Sequence, residues 1–322
     1  MASTTRQALL QALSAAEGAY ISGQQLAQQL GVSRAAVHKA AAALTAQGYA
    51  LEAASRRGYR LLGGDPFCAE AVGPYPAPVQ LYDTLESTNR TAKLLALEGA
   101  AHGTLVLAGG QTAGRGQRGH SWTSPEGENL TFTLVLEPVF LPVGEQFLLS
   151  EAVTLALTDT FAAFGIDARI KWTNDIYVGD KKLVGILIEH SYSGPTLART
   201  IAGIGINVNQ RAFDPALPNP VSMAVASGRT FDRREVLESF HACCMGRYDQ
   251  LVRGEKAALQ EEYRKRMYRL GETHPYRRPD GTLVEAVLEG VRPSGELILR
   301  HADGTRHAYL FREIEFVIAG KS

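Results

Sequence analysis

Residues 114–122 of this 322-residue chain read GRGQRGHSW and come shortly after the apolar run TLVLA at residues 104–108. Glycine lets backbone N–H groups approach an anion closely, and arginine presents a planar, permanently charged fork to phosphate or carboxylate. The segment therefore predicts a flexible anion-binding loop, and a phosphorylated ligand is the first interpretation. A plain Arg/Gly surface loop is the alternative that this segment alone leaves open.

The same residues match the dinucleotide-binding pattern Gly-x-Gly-x-x-Gly. That pattern requires a helix opening at its last glycine and an acidic residue about twenty positions further on. Here residues 120–127, HSWTSPEG, have turn chemistry, and LTFTLVL at residues 130–136 is typical of a strand. Because no helix is expected after the glycines, the pattern argues against a Rossmann domain. A nucleotide P-loop pattern is also missing from the sequence.

Further segments predict a sheet around this loop. Residues 171–178, KWTNDIYV, pass through Gly179-Asp180 into KKLVGILIE at residues 181–189, which indicates a β-hairpin. The alternating glycines of residues 199–209, RTIAGIGINVN, predict a strand whose backbone something approaches closely. Ahead of the loop, residues 79–83 predict a strand, and a Ser-Thr-Asn N-cap opens a helix over residues 90–98. Residues 145–164 predict a strongly apolar helix packed on the sheet.

The front of the chain has a different character. Residues 1–63 predict three helices and a hairpin, and the second and third helices are joined by Gly31-Val32 with Ser33 as an N-cap, as in a helix-turn-helix motif. Although the whole chain is neutral, residues 1–64 hold six basic and two acidic residues, a charge of +4, and the remainder carries −4. This asymmetry predicts that only the first part contacts nucleic acid. A purely structural three-helix unit is the alternative. The side chains expected to contact DNA are Arg34, His38, Lys39, Arg56 and Arg57.

The remaining composition narrows the class of protein. Residues 233–270 predict one or two helices, and short strands broken by turns at residues 279–281, 293–295 and 302–304 predict a small β-barrel over about residues 271–318. Three cysteines, an odd number, suggest neither disulfides nor a zinc site. The first residues predict no secretory signal and no run approaches the ~18 apolar residues of a membrane span, so a cytoplasmic protein is expected.

The loop at residues 114–119, the segment KWTND, the segment KLVGILIE and the segment GIGINVN stand in the order and spacing of the biotin protein ligases. With the helix-turn-helix included, the chain resembles the bifunctional bacterial form, a ligase joined to a biotin-operon repressor, over essentially its whole length. The resemblance implies an α+β protein: a winged helix-turn-helix domain (residues 1–64), a central α/β catalytic domain with a mixed sheet (65–270) and an SH3-like C-terminal β-barrel (271–322).

The resemblance also implies a two-step reaction. The carboxylate of biotin attacks the α-phosphate of ATP, pyrophosphate leaves, and biotinyl-5′-AMP stays bound until a lysine of a carrier protein attacks it. The expected carrier is the biotin carboxyl carrier protein of acetyl-CoA carboxylase. Mg²⁺ is expected to arrive with the ATP phosphates, because the sequence holds no metal-ligand motif of its own. Operator DNA is the second partner, and a homodimer is expected when the adenylate is bound.

Residue roles follow from the resemblance in the same way. Lys182 is expected to hold the carboxylate and the α-phosphate, with Lys171 and Arg118 as further cations and Asp175 orienting the metal–phosphate assembly. Biotin and nucleotide are expected to contact a wider set: Ser87, Thr88, Asn89, Gln111, Arg115, Gly116, Gln117, Trp122, Asn174, Gly203, Gly205 and Asn207. Trp122 and Asn174 would take the adenine. Family members usually carry Arg where this chain has Gln117, and often where it has His120, so its loop has less positive charge.

Three alternatives remain. Lipoate-type ligases share the catalytic logic but typically carry a Gly-Gly-Gly segment near an Arg-Arg pair, which this sequence lacks. A transcription factor that only senses a small molecule would not need Lys182, Arg118 and Asn174 together. A ligase whose DNA-binding domain no longer functions would keep all three and lose operator binding.

Overall fold

The computed structural model describes residues 2–16, 18–46, 49–64, 78–116, 121–125 and 127–318. Gln117, Arg118 and His120 of the glycine-rich loop lie outside these residues, as do residues 65–77, which include Cys68. Among the described residues, no helix combines the length and the apolar character needed to cross a membrane.

The N-terminal unit has the expected order of three helices and a hairpin. Its elements are α1 (Ala2–Ala15), α2 (Gly23–Leu30), α3 (Arg34–Ala46), β1 (Tyr49–Ala54) and β2 (Gly58–Gly64). Ser22 and Gln25 form a reciprocal capping box at the start of α2, and Gly31 ends the helix in a left-handed conformation. Apolar side chains at helical spacing build a separate small core, which includes Leu9, Leu26 and Leu44.

A seven-stranded mixed sheet forms the centre of the molecule. Its strands are β3 (Val79–Leu85), β4 (Leu105–Gln111), β5 (Leu130–Leu136), β6 (Arg169–Lys171), β7 (Asp175–Val178), β8 (Lys181–Ser193) and β9 (Thr196–Ile206). They lie in the order β3-β4-β5-β9-β8-β7-β6, and only the β3–β4 pair is parallel. The central fold is therefore α+β with a mixed sheet, as expected.

Helices cover both faces of this sheet because its strands are apolar on both sides. The buried helix α5 (Phe147–Ala163) belongs to the large core together with α7 (Arg233–Val252) and α8 (Lys256–Lys265). The helix α4 (Thr88–Leu97) covers the other face, where Ala92 packs with Val106, Val135 and Ile201. A short helix, α6 (Met223–Ser227), follows β9. The N-terminus of α4 lies over the middle of the sheet, because Asn89 hydrogen-bonds with Thr133 on β5 and Leu187 on β8.

The C-terminal part is a five-stranded antiparallel sheet. Its strands are β10 (Thr273–Arg277), β11 (Leu283–Val291), β12 (Leu297–His301), β13 (Arg306–Tyr309) and β14 (Glu315–Phe316), in the order β13-β12-β11-β10-β14. The expected Asp-Gly and Ser-Gly turns separate the first four strands. Tyr276, Leu288 and Phe316 share one apolar core with the central domain, so the two parts pack closely.

Three elements differ from their expected bounds. Residues 171–178 are not one strand: Lys171 pairs with Asp175 across a reversal at residues 172–174, which separates β6 from β7. The polar run Thr173-Asn174-Asp175 interrupts the segment at this reversal, and the buried Trp172 donates through Nε1 to the carbonyl of Gly295, 2.8 Å away. The helix expected over residues 90–98 begins at Thr88, and the apolar helix begins at Phe147, shifts that are ordinary for helix ends.

Candidate active site

One cavity of about 700 Å³ lies where the central sheet, the start of α4, the glycine-rich loop and the C-terminal sheet meet. Its volume is in the range of small-molecule sites. Fourteen of the residues expected to contact biotin or ATP belong to the described part of the chain. Thirteen of them line this cavity: Ser87, Thr88, Asn89, Gln111, Arg115, Gly116, Trp122, Lys171, Asp175, Lys182, Gly203, Gly205 and Asn207. Asn174 lies between two lining residues, Thr173 and Asp175.

The start of α4 forms a polar pocket at one end of the cavity. Ser87 is the N-cap of the helix, yet its side chain makes no capping hydrogen bond. The backbone N–H of Thr88 instead donates to Oε1 of Gln111 at 2.8 Å. Because that oxygen is occupied, the Gln111 amide nitrogen remains as a donor for a ligand. Ser87, Thr88 and Asn89 are all more than nine-tenths buried, so a ligand bound here is largely removed from water.

The side-chain amide of Asn89 is held from both sides. Its nitrogen donates to Oε2 of Glu189 at 3.0 Å and to the carbonyl of Leu187 at 3.3 Å. Its oxygen accepts from the hydroxyl of Thr133 at 2.7 Å. Gly203 makes room for this amide, since a Cβ there would lie 2.0 Å from the Asn89 oxygen. The alternating glycines of β9 therefore serve close approach, as the sequence indicated.

A β-bulge aims Lys182 into the cavity. Ile176 pairs with Val184 and Tyr177 with Lys182, so Leu183 has no partner of its own on β7. Bulges commonly re-aim a side chain next to a functional site. The Lys182 ammonium lies 2.7 Å from the Asp175 carboxylate, whereas Lys181 is exposed to solvent. Adjacent strand residues thus take opposite sides, as expected.

A segment that carried no assignment from sequence fixes the backbone at the bulge. The N–H of Lys182 donates to the carbonyl of Asn219 at 2.7 Å, and the N–H of Val221 donates to the carbonyl of Lys182 at 3.0 Å. Asn219 also donates through its side chain to the carbonyl of Asp180. Residues 218–220 therefore act as a clamp on the strand that carries Lys182. Only the Pro-Asn-Pro composition hinted that these residues have a defined conformation.

Trp122 covers a glycine surface on the sheet. Cβ atoms at Gly185 and Gly205 would lie 2.9 Å and 2.2 Å from its ring, so both glycines are needed for this contact. The indole Nε1 of Trp122 and the Oδ1 of Asn174 are buried and have no hydrogen-bond partner among the described residues. Buried polar atoms normally have partners. A ligand with both donor and acceptor groups, such as a nucleobase, fits two such atoms.

Two expected residues have structural contacts as well. The Lys171 ammonium lies 5.4 Å and 5.0 Å from the ring centres of Tyr177 and Phe316, so the C-terminal sheet supports it. The Asn207 amide donates to the carbonyl of Val221 at 3.1 Å and ties the end of β9 to the 218–221 segment. Sequence reasoning missed Thr133, Glu189 and Phe316. Glu189 closes the KLVGILIE motif, so its position there was an available signal.

The candidate DNA-contacting residues are exposed on the N-terminal unit. Arg34, His38 and Lys39 lie on α3, and Arg56 and Arg57 lie in the turn between β1 and β2. The hairpin is attached to the chain ahead of α2, where Tyr59 and Ile21 exchange backbone hydrogen bonds of 2.9 Å.

Arg60 is not part of that free basic surface. Its guanidinium forms a 2.6 Å ion pair with Glu52, and it also stacks on the ring of Tyr20. Hydrogen bonds from Tyr20 and Arg60 lower the pKa of the Glu52 carboxyl.

The described residues thus combine a helix-turn-helix unit with an α/β domain whose cavity contains a buried polar pocket and a lysine. Residues 81–207 match the biotin/lipoate A/B protein ligase family, and residues 5–60 match a helix-turn-helix domain. The chain is 34% identical to the bifunctional ligase/repressor BirA of Bacillus spizizenii, over 96% of this chain and 98% of that protein. It is 37% identical to a biotin–[acetyl-CoA-carboxylase] ligase of Paracoccus denitrificans, over 68% and 92% of the two chains.

Among solved structures, a biotin protein ligase from Aquifex aeolicus in complex with biotin and ATP matches with a TM-score of 0.64. At 24% identity over 75% of this chain and 99% of that one, the match shows the fold. This chain belongs to the biotin protein ligases, in their bifunctional ligase/repressor form. The resemblance inferred from its motifs is confirmed.

Proposed function

We propose that this protein forms biotinyl-5′-AMP from biotin and ATP, transfers biotin to a lysine of the biotin carboxyl carrier protein of acetyl-CoA carboxylase, and represses biotin-synthesis genes through its helix-turn-helix domain. The observation that carries the proposal is that one cavity joins the polar pocket at the start of α4 to Lys182. The pocket suits a small neutral polar head group, and the lysine suits the anions at the other end of the ligand.

The polar pocket would bind the cyclic urea of biotin. The Ser87 hydroxyl and the Gln111 amide nitrogen are available as donors to the urea oxygen. The Asn89 oxygen, which the Thr133 hydroxyl occupies only in part, is available as an acceptor for a urea N–H. These buried groups would be left unpaired by a ligand without matching donors and acceptors, which gives selectivity.

The activation step brings two anions together. A carboxylate oxygen of biotin bonds to the α-phosphorus, the bond from that phosphorus to the bridging oxygen breaks, and pyrophosphate leaves with the electron pair. Lys182 would exchange its contact with Asp175 for the carboxylate and the α-phosphate, which stabilises the charge that develops between them. Lys171, Arg115 and Arg118 would add positive charge, although Arg118 lies outside the described residues.

Trp122 and Asn174 would bind the adenine, and Gly116 and Gln117 would cover the adenylate. The unpaired Trp122 and Asn174 atoms support this assignment, since adenine offers both acceptors and a donor. Phe316, which packs against Lys171, would close the cavity from the C-terminal side. We infer that the C-terminal sheet is an SH3-like barrel. Covering the reactive anhydride excludes water and prevents its hydrolysis.

Mg²⁺ fits this site as a partner of the ATP phosphates. No group of three His, Cys, Asp or Glu side chains in the described ranges is arranged to hold a metal, so a cage made only of protein ligands is not supported. Mg²⁺ usually binds through phosphates, waters and one or two carboxylates, and Asp175 in the cavity wall supplies such a carboxylate. The ion would neutralise phosphate charge during activation.

The N-terminal domain would bind operator DNA as part of a dimer. A single helix-turn-helix unit reads few bases, and dimers commonly bind two half-sites. Arg34, His38 and Lys39 would enter the major groove, and Arg56 and Arg57 would contact the neighbouring backbone or minor groove. If the adenylate favours the dimer, it also raises operator affinity. A strand edge of the central sheet could serve both the dimer and the carrier, so that ligation and repression compete.

The experiment that tests the enzyme is mass spectrometry of a biotin carrier domain after incubation with the protein, ATP, Mg²⁺ and biotin. We expect the mass to rise by one biotin, and replacing biotin with lipoate should leave the carrier unmodified. A ligand-sensing transcription factor would bind biotin and release no pyrophosphate. Sedimentation equilibrium with and without biotinyl-5′-AMP, together with operator titration at fixed salt, tests the repressor. If the protein stays monomeric with biotinyl-5′-AMP and does not bind operator DNA, the repressor role is refuted and only the ligase activity remains.

A further inference from the structure

An ion pair between Lys93 of α4 and Glu189 of β8 is connected to the polar pocket through Asn89. The Lys93 ammonium lies 2.6 Å from one oxygen of Glu189, and the other oxygen of Glu189 accepts from the Asn89 amide at 3.0 Å. Lys93 and Glu189 are 96 residues apart in the chain. The cavity lining includes Asn89 and neither member of the ion pair. The hydrogen bond from Asn89 to Glu189 therefore connects the pair to the cavity lining.

Glu189, held by Lys93, and the carbonyl of Leu187 together determine which end of the Asn89 amide faces which neighbour. Glu189 accepts only, because it is a carboxylate, so the amide must offer it the nitrogen. The carbonyl of Leu187 takes the second hydrogen of that nitrogen at 3.3 Å. An amide turned by 180° would place two acceptors, the Asn89 oxygen and the Glu189 carboxylate, against each other. The Asn89 oxygen therefore stays on the side of Gly203, in the cavity wall.

The orientation of the Asn89 amide also fixes the direction of the hydrogen bond that it makes with Thr133. The Thr133 hydroxyl must donate to the Asn89 oxygen, because that oxygen has no proton to give, over 2.7 Å. The Thr88 hydroxyl lies 2.8 Å from the Thr133 oxygen and 3.2 Å from Oε1 of Gln111. An acceptor oxygen at residue 189 thus sets the direction of the hydrogen bond between Thr133 and Asn89.

We propose that Glu189, held by Lys93, is a positioning residue that keeps the Asn89 oxygen turned toward the ligand and so selects a head group with an N–H donor. The inference rests on the proposed function and deepens it: the site would take a cyclic urea and discriminate against the same ring without its N–H groups. Neither Glu189 nor Lys93 touches the substrate.

The side chains of Lys93 and Glu189 are exposed enough to be substituted with little effect on folding. The side chains of Lys93 and Glu189 are 47% and 35% exposed, and ion pairs of that kind contribute little to folding stability. Effects of substitution on biotin recognition are therefore separable from effects on folding. Glu189→Gln retains an oxygen that accepts from the Asn89 amide, whereas Glu189→Ala removes it. These two variants form a matched pair, and Lys93→Met removes only the counter-charge.

Pyrophosphate release is measured with the full chain while biotin and ATP are varied separately. We expect Glu189→Ala to raise the KM for biotin about tenfold, the scale of one hydrogen bond, with kcat and the KM for ATP within about twofold of the parent. Glu189→Gln should stay within about threefold of the parent, and Lys93→Met should lie between the two.

A ligand analogue reads out the orientation itself. We expect biotin methylated on its urea nitrogens to be a poor substrate for the parent. The ratio of the KM for this analogue to the KM for biotin should be smaller in Glu189→Ala than in the parent. An unchanged ratio, or Glu189→Gln as impaired as Glu189→Ala, would overturn the positioning role. So would an equal rise in the KM for ATP. A parent chain that turns over no biotin at all would overturn both this inference and the proposed function.

Discussion

Substitution of Gly203 tests whether biotin binding requires the Asn89 amide to stay in its present position. A Cβ at this position would lie 2.0 Å from the Asn89 oxygen, and carbon–oxygen contacts below 3.0 Å are essentially never seen. In Gly203→Ala the amide must therefore move by about 1 Å. That shift breaks its bonds to Thr133 and Glu189, which are 2.7 Å and 3.0 Å long.

The expected magnitude follows from those two bonds. A buried polar group left without its partner costs about 1–3 kcal/mol, so the loss of two bonds in Gly203→Ala should lower the free energy of unfolding by about 2–6 kcal/mol. Displacement of the acceptor should also weaken biotin binding by roughly 30- to 150-fold, which corresponds to about 2–3 kcal/mol. Chemical denaturation and calorimetric titration with biotin, without ATP, measure the two effects independently.

Gly110→Ala is the matched control. Gly110 lies on β4, outside the cavity lining, and a Cβ there would meet only the Thr84 hydroxyl at an ordinary 3.8 Å. We expect it to bind biotin as the parent does. Parent-like biotin affinity in folded Gly203→Ala would refute the argument that the Asn89 amide must stay where it is.

Three further predictions follow from other parts of the molecule. Lys182→Ala should slow adenylate formation by about two orders of magnitude, the scale of one preorganised charge contact, whereas Lys181→Ala should be mild; equal pyrophosphate release by both variants would remove Lys182 from the chemistry. Trypsin cleavage after the exposed Arg115 should slow when biotin and ATP bind, and gel analysis showing the same rate at saturation would contradict coverage of this residue. Burial raises the pKa of Glu151 to about 8, so its favourable contribution to stability is complete below about pH 4.5 and is lost as pH rises to about 8. Glu151→Gln should therefore gain stability over the parent across that window, and denaturation curves at several pH values check this.

The Glu151 prediction has a clear structural origin. Both carboxyl oxygens of Glu151 are buried without a hydrogen-bond partner among the described residues, and the hydroxyl of Tyr263 is buried in the same state. The folded state therefore retains a proton that the unfolded chain releases above its ordinary pKa. A neutral amide of the same shape avoids that cost, as isosteric replacement of buried ionisable groups often does.

Much of the fold was predictable because its signals are local. Caps, turn residues and the spacing of apolar side chains are set within a few positions of the chain. They gave the three helices and hairpin, the Gly179-Asp180 turn, the strand over residues 130–136 and the antiparallel C-terminal strands. The glycine pattern of residues 203–205 also indicated close approach, without indicating what approaches. Residues 171–178 were misread as one strand because of the aromatic and β-branched residues on either side of the polar run at residues 173–175, which marks the reversal.

The sequence by itself determined the family, the two kinds of domain and the residue types of the site, because motifs in order and local backbone preferences are properties of the chain alone. Only the tertiary structure decided that Glu189 and Lys93 orient Asn89, that residues 218–221 clamp the bulge at Lys182, and that Phe316 supports Lys171. Each of these contacts joins residues far apart in the chain. Their existence depends on strand register and on how helices and sheets pack, and no local pattern encodes either one.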